Sequence, residues 1–287
     1  MKVTIDPDSG FCFGVNRAIQ TAENELDAGN EVYCLGEIVH NHVQMDQLKG
    51  KGLRVINHSD LPGLKGKRVL IRAHGEPPET FHLAYKLEID LIDATCPIVT
   101  KLQQRIRESG VSNENDDIQI VIFGKPNHAE VEGLVGNASR KAIVISSERD
   151  VDNIDFSKPV RLFSQTTMDA ENYQSVIETI EQRMNDAGNK DLEINKSVCR
   201  QVSGRAPALR AFAADHEVVI FVSGKNSANG AYLYGVCKLV NNNSYFISTI
   251  EEIDNQWFEN VDSVGLTGAT STPGWLIKQV AGYISEL

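Results

Sequence analysis

The chain has 287 residues, 41% hydrophobic and 23% charged, with 22 Gly and 9 Pro; this is globular composition, long enough for two or three compact units, and it excludes disordered and collagen-like classes. Its 28 Lys and Arg against 39 Asp and Glu leave a net charge of −11, which argues against a nucleic-acid-binding face. The longest unbroken apolar run, Val218–Val222, falls far short of the roughly 20 residues that a membrane-spanning helix needs, so no membrane span is expected.

In chain order, Met1-Lys2-Val3-Thr4-Ile5-Asp6 reads straight into a strand with no apolar leader core, which predicts a cytoplasmic protein. Gly10-Phe11-Cys12-Phe13-Gly14-Val15 follows, ahead of a helical stripe of Ala18, Ile19, Ala22 and Leu26. Val32-Tyr33-Cys34-Leu35 reads as a buried strand, and Ile38-Val39-His40-Asn41-His42 as a polar turn. Three apolar runs, Arg68-Val69-Leu70-Ile71, Gln119-Ile120-Val121-Ile122-Phe123 and Val218-Val219-Ile220-Phe221-Val222, lead into Gly-containing turns. These turns carry His74, His128 with Glu130, and Ser227 with Asn229. Three more runs begin at Leu91, Leu162 and Val264 and end in hydroxyl- or thiol-bearing turns: Thr95-Cys96-Pro97, Gln165-Thr166-Thr167, and the stretch through Ser271-Thr272-Pro273. Residues 113–117 read as a solvated loop and residues 185–191 as a linker.

This alternation of strand, turn and helix is the signature of α/β folds with parallel sheets. Two sets of three runs predict a triplicated architecture, with functional turns at the carboxyl ends of strands, where open α/β sheets bind ligands.

Five cysteines with no C-x-x-C spacing exclude a disulfide framework, a zinc ribbon and a bacterial ferredoxin run. Cys12, Cys96 and Cys199 stand in matching turns, the first two ahead of helical patterns where a helix N-terminus stabilises the thiolate that binds metal. Cys34, in a strand, and Cys237, in a helix, read as core packing. Imidazole, hydroxyl, amide and backbone N–H donors near helix starts suit a phosphate or diphosphate without a lysine cluster, which reconciles an anionic substrate with the acidic chain. His58, His82 and His216 read as surface or core residues. His128-Ala129-Glu130 matches the H-x-E half of a zinc deaminase, but the P-C-x-x-C half is missing. The dinucleotide, P-loop, zincin and hydrolase motifs are also absent.

Taken together and in order, Gly10-Phe11-Cys12-Phe13-Gly14-Val15, Val39-His40-Asn41, Ala73-His74-Gly75, Asp93-Ala94-Thr95-Cys96-Pro97, His128-Ala129-Glu130-Val131-Glu132-Gly133, Gln165-Thr166-Thr167 and Lys225-Asn226-Ser227-Ala228-Asn229 resemble the 4-hydroxy-3-methylbut-2-enyl diphosphate reductase family of the non-mevalonate isoprenoid pathway. The resemblance runs from Gly10 to Pro273. It implies an α/β fold of three small α/β domains, residues 13–97, 98–194, and 1–12 with 195–287, in pseudo-threefold arrangement around a central [4Fe-4S] cluster. It also implies that Cys12, Cys96 and Cys199 ligate the cluster, whose open iron binds the substrate hydroxyl. By the same resemblance, His40, His74, His128, Ser227, Asn229 and Ser271 hold the diphosphate, Thr166 lies near the substrate hydroxyl, and Glu130 relays protons. The implied reaction is a two-electron, two-proton removal of an allylic hydroxyl that yields isopentenyl and dimethylallyl diphosphates, with electrons from an external donor of ferredoxin or flavodoxin type.

The chain departs from the family pattern at Ala129, where Pro is common, and at Ala228, where a second Ser is common. Cys199-Arg200-Gln201-Val202 and the turn from Thr267 to Pro273 are variants. Two other classes compete on the residues alone: a non-enzymatic iron-sulfur sensor or carrier, and a zinc-dependent phosphoester hydrolase.

Overall fold

The structure, a computed structural model, describes residues 1–110, 117–139 and 141–287. The expected loop at 113–117 lies outside the described residues except for Asp117.

The chain opens with β1 (Lys2–Ile5), α1 (Phe13–Asp27), β2 (Val32–Leu35), α2 (His42–Gly50) and β3 (Arg54–Ile56). Next come β4 (Arg68–Ile71), α3 (Pro78–Lys86), β5 (Asp90–Asp93), α4 (Pro97–Ser109), β6 (Gln119–Phe123), α5 (Ala129–Asn137) and β7 (Ile143–Ile145). They are followed by β8 (Val160–Ser164), α6 (Ala170–Asp186), β9 (Leu192–Ile194), α7 (Arg200–Ser203), α8 (Arg205–Ala214) and β10 (Val218–Val222). The chain ends with α9 (Ala228–Val240), β11 (Ser244–Ile247), β12 (Ser263–Gly268) and α10 (Gly274–Ser285).

The strands form three four-stranded sheets, ordered β3-β2-β4-β5, β7-β6-β8-β9 and β11-β10-β12-β1. Each has the strand order 2-1-3-4, provided that β1 is counted as the fourth strand of the last sheet. The fold is mixed α/β, and the expected triplication is real, but the expected sets of three mix its positions. Arg68–Ile71 is a third strand, whereas Gln119–Phe123 and Val218–Val222 are first strands. The run from Leu91 is a fourth strand, whereas those from Leu162 and Val264 are third strands. The true first-strand partner of β6 and β10 is β2.

The apolar runs become strands because they are covered on both faces, as parallel sheets require. On one face of β6, Val121 and Phe123 pack with Leu162 of β8 and with Tyr173, Ile177 and Ile180 of α6. Ile120 and Ile122 pack on the other face with Leu102 and Ile106 of α4 and Leu134 of α5. The same division recurs in β10, where Val218, Ile220 and Val222 meet Leu276 and Val280 of α10, while Val219 and Phe221 meet Leu209 of α8 and Leu233 of α9. Each such side chain contributes roughly 1.5–3 kcal/mol on burial. The turns at the strand ends are thereby set on a stiff base.

Two compact units divide the chain: residues 1–32, 36–55 and 204–287 form one, and residues 33–35 and 56–203 the other. The expected linker at 185–191 is instead the end of α6 and a tight turn into β9, closed by Gly188 at φ +69°. Among the described residues no helix is long and apolar enough to cross a membrane.

Candidate active site

The three cysteines that stand in turns are held by one device used three times. The second residue past each third strand (Ala73 after Ile71, Thr166 after Ser164, Thr270 after Gly268) offers its carbonyl to a cysteine that follows the fourth strand. Cys96 donates its N–H to Ala73 O at 3.0 Å, Cys199 to Thr166 O at 2.8 Å and Cys12 to Thr270 O at 3.2 Å. Cys12 and Cys96 are the N-caps of α1 and α4, and Cys199 stands directly before α7. All three are half-buried, and none is in a disulfide. Cys34 and Cys237 differ sharply, since burial pushes both thiols up to about 12 and keeps them protonated. The donor set therefore suits a soft, thiolate-ligated metal group at three cysteines and not at five.

The turns after the first strands are equivalent as well. His40, His128 and Ser227 are each the fifth residue past their strand, following Leu35, Phe123 and Val222. Each stands at the start of a helix: His128 and Ser227 are themselves N-caps, and His40 precedes the N-cap Asn41. His128 Nδ1 accepts from the N–H of Glu130 at 3.2 Å, so in the neutral ring the proton sits on Nε2. Asn127 takes φ +61°, a conformation that asparagine tolerates, and this turns the chain into position for His128. His74 lies edge-on to His128 with ring centroids 5.3 Å apart.

Ser227 Oγ accepts from Gly230 N at 3.0 Å and lies 3.1 Å from Ser271 Oγ. Asn229 Nδ2 donates to Thr270 Oγ1 at 2.9 Å, which ties this donor group to the turn that holds Cys12. His40 is exposed, and its carbonyl approaches Gly224 so closely that a Cβ there would stand 2.8 Å from it. Only glycine fits that position.

Glu130, in the first turn of α5, is 1% exposed and does not lie on the helix surface. Its Oε1 accepts from Thr166 N at 2.7 Å and its Oε2 from Thr166 Oγ1 at 2.9 Å. Desolvation raises its pKa to about 7, partly offset by the two hydrogen bonds from Thr166. Thr166 thus touches the acid with its N–H and hydroxyl and Cys199 with its carbonyl.

The family model described as LytB protein matches residues 3–285. The chain belongs to the LytB family. It is 47% identical over 287 residues to a Bacteroides thetaiotaomicron protein named 4-hydroxy-3-methylbut-2-enyl diphosphate reductase, covering 100% of this chain and 99% of that one. A Porphyromonas gingivalis protein of the same name is 44% identical over 289 residues, covering 100% and 99%. A solved structure of (E)-4-hydroxy-3-methyl-but-2-enyl diphosphate reductase, described as the terminal enzyme of the non-mevalonate pathway, aligns with a TM-score of 0.78 at 33% identity over 99% of both chains. The Plasmodium falciparum E-1-hydroxy-2-methyl-but-2-enyl-4-diphosphate reductase aligns with a TM-score of 0.83 at 27% identity, over 99% of this chain and 87% of that one. By family the LytB chain is an enzyme, an oxidoreductase.

The sequence assigns no role to four supporting residues of this LytB chain, Gln165, Arg205, Asp6 and Thr267. Gln165 Oε1 accepts from Lys125 N at 3.0 Å and its Nε2 donates to Thr167 Oγ1 at 2.8 Å, so it joins the turns that present His128 and Thr166. Buried Arg205 pairs with buried Asp6 at 2.6 Å, and Thr267 Oγ1 donates to the same carboxylate at 2.7 Å, anchoring the chain that leads to Cys12. No local pattern marks that ion pair, because Asp6 and Thr267 are 261 positions apart. His58 Nε2 lies 2.7 Å from Glu76, His82 is exposed, and His216 Nδ1 meets Phe212 O at 2.8 Å, as expected of residues outside the site.

Proposed function

We propose that the protein reduces 4-hydroxy-3-methylbut-2-enyl diphosphate to isopentenyl and dimethylallyl diphosphates in the cytoplasm, with Cys12, Cys96 and Cys199 holding one [4Fe-4S] cluster. The observation that carries this reading is Thr166, which joins a cysteine to a buried acid that titrates near neutrality. The domains are residues 13–97, 98–194, and 1–12 with 195–287, and each range contains one full set of four strands. When bound, a cluster held by Cys12, Cys96 and Cys199 would supply electrons singly and Lewis acidity toward the allylic oxygen. The electrons come from a carrier protein of ferredoxin or flavodoxin type.

The chain's own residues bind the substrate and move protons. His40, His74, His128, Ser227, Asn229 and Ser271 hold the diphosphate through neutral donors at helix starts, where the backbone N–H groups favour an anion. Hydroxide is a poor leaving group, so a proton must reach it as the carbon–oxygen bond breaks. With its pKa at about 7, Glu130 is protonated in a large share of molecules at neutral pH. When Oε2 carries the proton, its bond with Thr166 reverses: Thr166 Oγ1 accepts that proton and releases its own toward the substrate oxygen. Two electrons and two protons are consumed, one C–O bond breaks, one C–H bond forms, and water leaves. A sensor or carrier has no use for this acid–threonine pair, and a zinc hydrolase has no use for three thiols placed by one repeated device.

Affinity for the substrate tests the diphosphate half of this reading. Calorimetry on His74→Asn and Ser227→Ala is expected to show binding about tenfold weaker in each, the effect of losing one hydrogen bond to a charged group. Ser227→Ala also loses the N-cap of α9 and about 1 kcal/mol of stability. Unchanged affinity in both variants would remove these residues from the site.

A further inference from the structure

A groove of about 280 Å³ lies between α4, which begins directly after Cys96, and the segment that carries Cys199. Lys101 and Arg105 stand on its α4 wall and Lys196 and Arg200 on the other, with Cys199 in its lining. All four cations are exposed, no carboxylate lines the groove, and among the described residues none of the four forms an ion pair. Ile98, 42% exposed, adds an apolar contact two residues from Cys96. On a chain of net charge −11, four unpaired cations around one cysteine are a strong local reversal of field.

We propose that this groove is the docking surface for the electron donor, a small acidic one-electron carrier protein. The inference rests on the cluster assignment above, since a donor must approach the group that it reduces: Cys199 lines the groove, and Cys96 is the N-cap of the helix that forms its other wall. Charge complementarity selects the partner: an acidic carrier is drawn to this basic groove, whereas the chain's net charge of −11 disfavours its approach in general. Electron-transfer encounters are small and transient, so a patch of four cations with one apolar contact is of the right kind. The attraction is long-ranged and screened by salt, whose Debye length is about 8 Å at physiological ionic strength.

The test uses the cluster-loaded double variant Lys101→Glu/Arg105→Glu, with whichever of an acidic ferredoxin or an acidic flavodoxin reduces the wild-type enzyme faster. Donor-driven kcat/KM is expected to fall at least about tenfold and to lose its salt dependence. Binding of the oxidised carrier, followed by calorimetry, is expected to weaken by a similar factor, while turnover driven by a reduced viologen stays unchanged. Equal carrier binding and donor-driven turnover in variant and wild type would overturn the surface, as would a parallel fall with both reductants or failure of either carrier to bind the wild type. A wild-type enzyme that viologen cannot drive would instead overturn the reductase reading itself, an outcome separable from the others.

Discussion

Replacement of Glu130 by Gln is expected to leave the protein folded, able to hold its metal group and able to bind substrate, yet to slow turnover by at least about a hundredfold, the lower end of what a positioned acid contributes. Gln keeps the shape of the side chain and can accept from Thr166 N through its carbonyl, but it has no carboxylic proton to give. As an ordinary first-turn helix residue, Glu130 would contribute only roughly 0.3–1 kcal/mol through the helix dipole and little activity. Stability separates the two roles further. Glu130 titrates at about 7 in the folded chain against an ordinary 4.5, so between these values the folded state holds the proton more tightly and stability falls as pH rises. The cost of burying the carboxylate is absent below 4.5 and complete above 7, where it reaches about 3 kcal/mol. Glu130→Gln is therefore expected to unfold at higher denaturant concentration than wild type at pH 8, with the difference vanishing near pH 4. Turnover within a few-fold of wild type under saturating reductant would make Glu130 a capping residue and send the proton by another route.

Single Cys→Ser substitutions are expected to divide the five cysteines three to two. Cys12→Ser, Cys96→Ser and Cys199→Ser each lose bound iron and sulfide together with essentially all turnover, because each removes a thiolate at the end of a fourth strand. Cys34→Ser and Cys237→Ser keep iron and sulfide; they put a hydroxyl into a fully buried apolar site and lower stability by roughly 1–3 kcal/mol. Iron analysis and denaturant unfolding of the five variants check both halves. Loss of iron in Cys34→Ser with full retention in Cys199→Ser would contradict the assignment.

The turns of His128 and Ser227 were legible because each follows a run long enough and apolar enough to announce a buried strand, Gln119–Phe123 and Val218–Val222. The register of the triplication was not, for two physical reasons. One copy takes its fourth strand from the opposite end of the chain, and β9, three residues and at most half-buried, leaves almost no pattern of its own. The 185–191 stretch is polar because it turns sharply in solvent, and polarity alone does not distinguish a helix-to-strand turn from a linker. The device that holds the cysteines runs through backbone N–H and carbonyl groups, which every residue has and no sequence motif records. Glu130 was recognisable as a candidate acid from its neighbour His128, but its elevated pKa comes from burial against the turn of Thr166, 36 residues away.

The central claim, that three cysteines hold an iron-sulfur cluster at which a diphosphate substrate is reduced, is tested most directly by anaerobic purification, metal and sulfide analysis, and assay of the same sample with reduced viologen and 4-hydroxy-3-methylbut-2-enyl diphosphate. The expected result is iron and acid-labile sulfide in equal amounts, with reductant-dependent formation of isopentenyl and dimethylallyl diphosphates. Stoichiometric zinc without sulfide, or a full cluster that leaves the substrate unreduced, would contradict it.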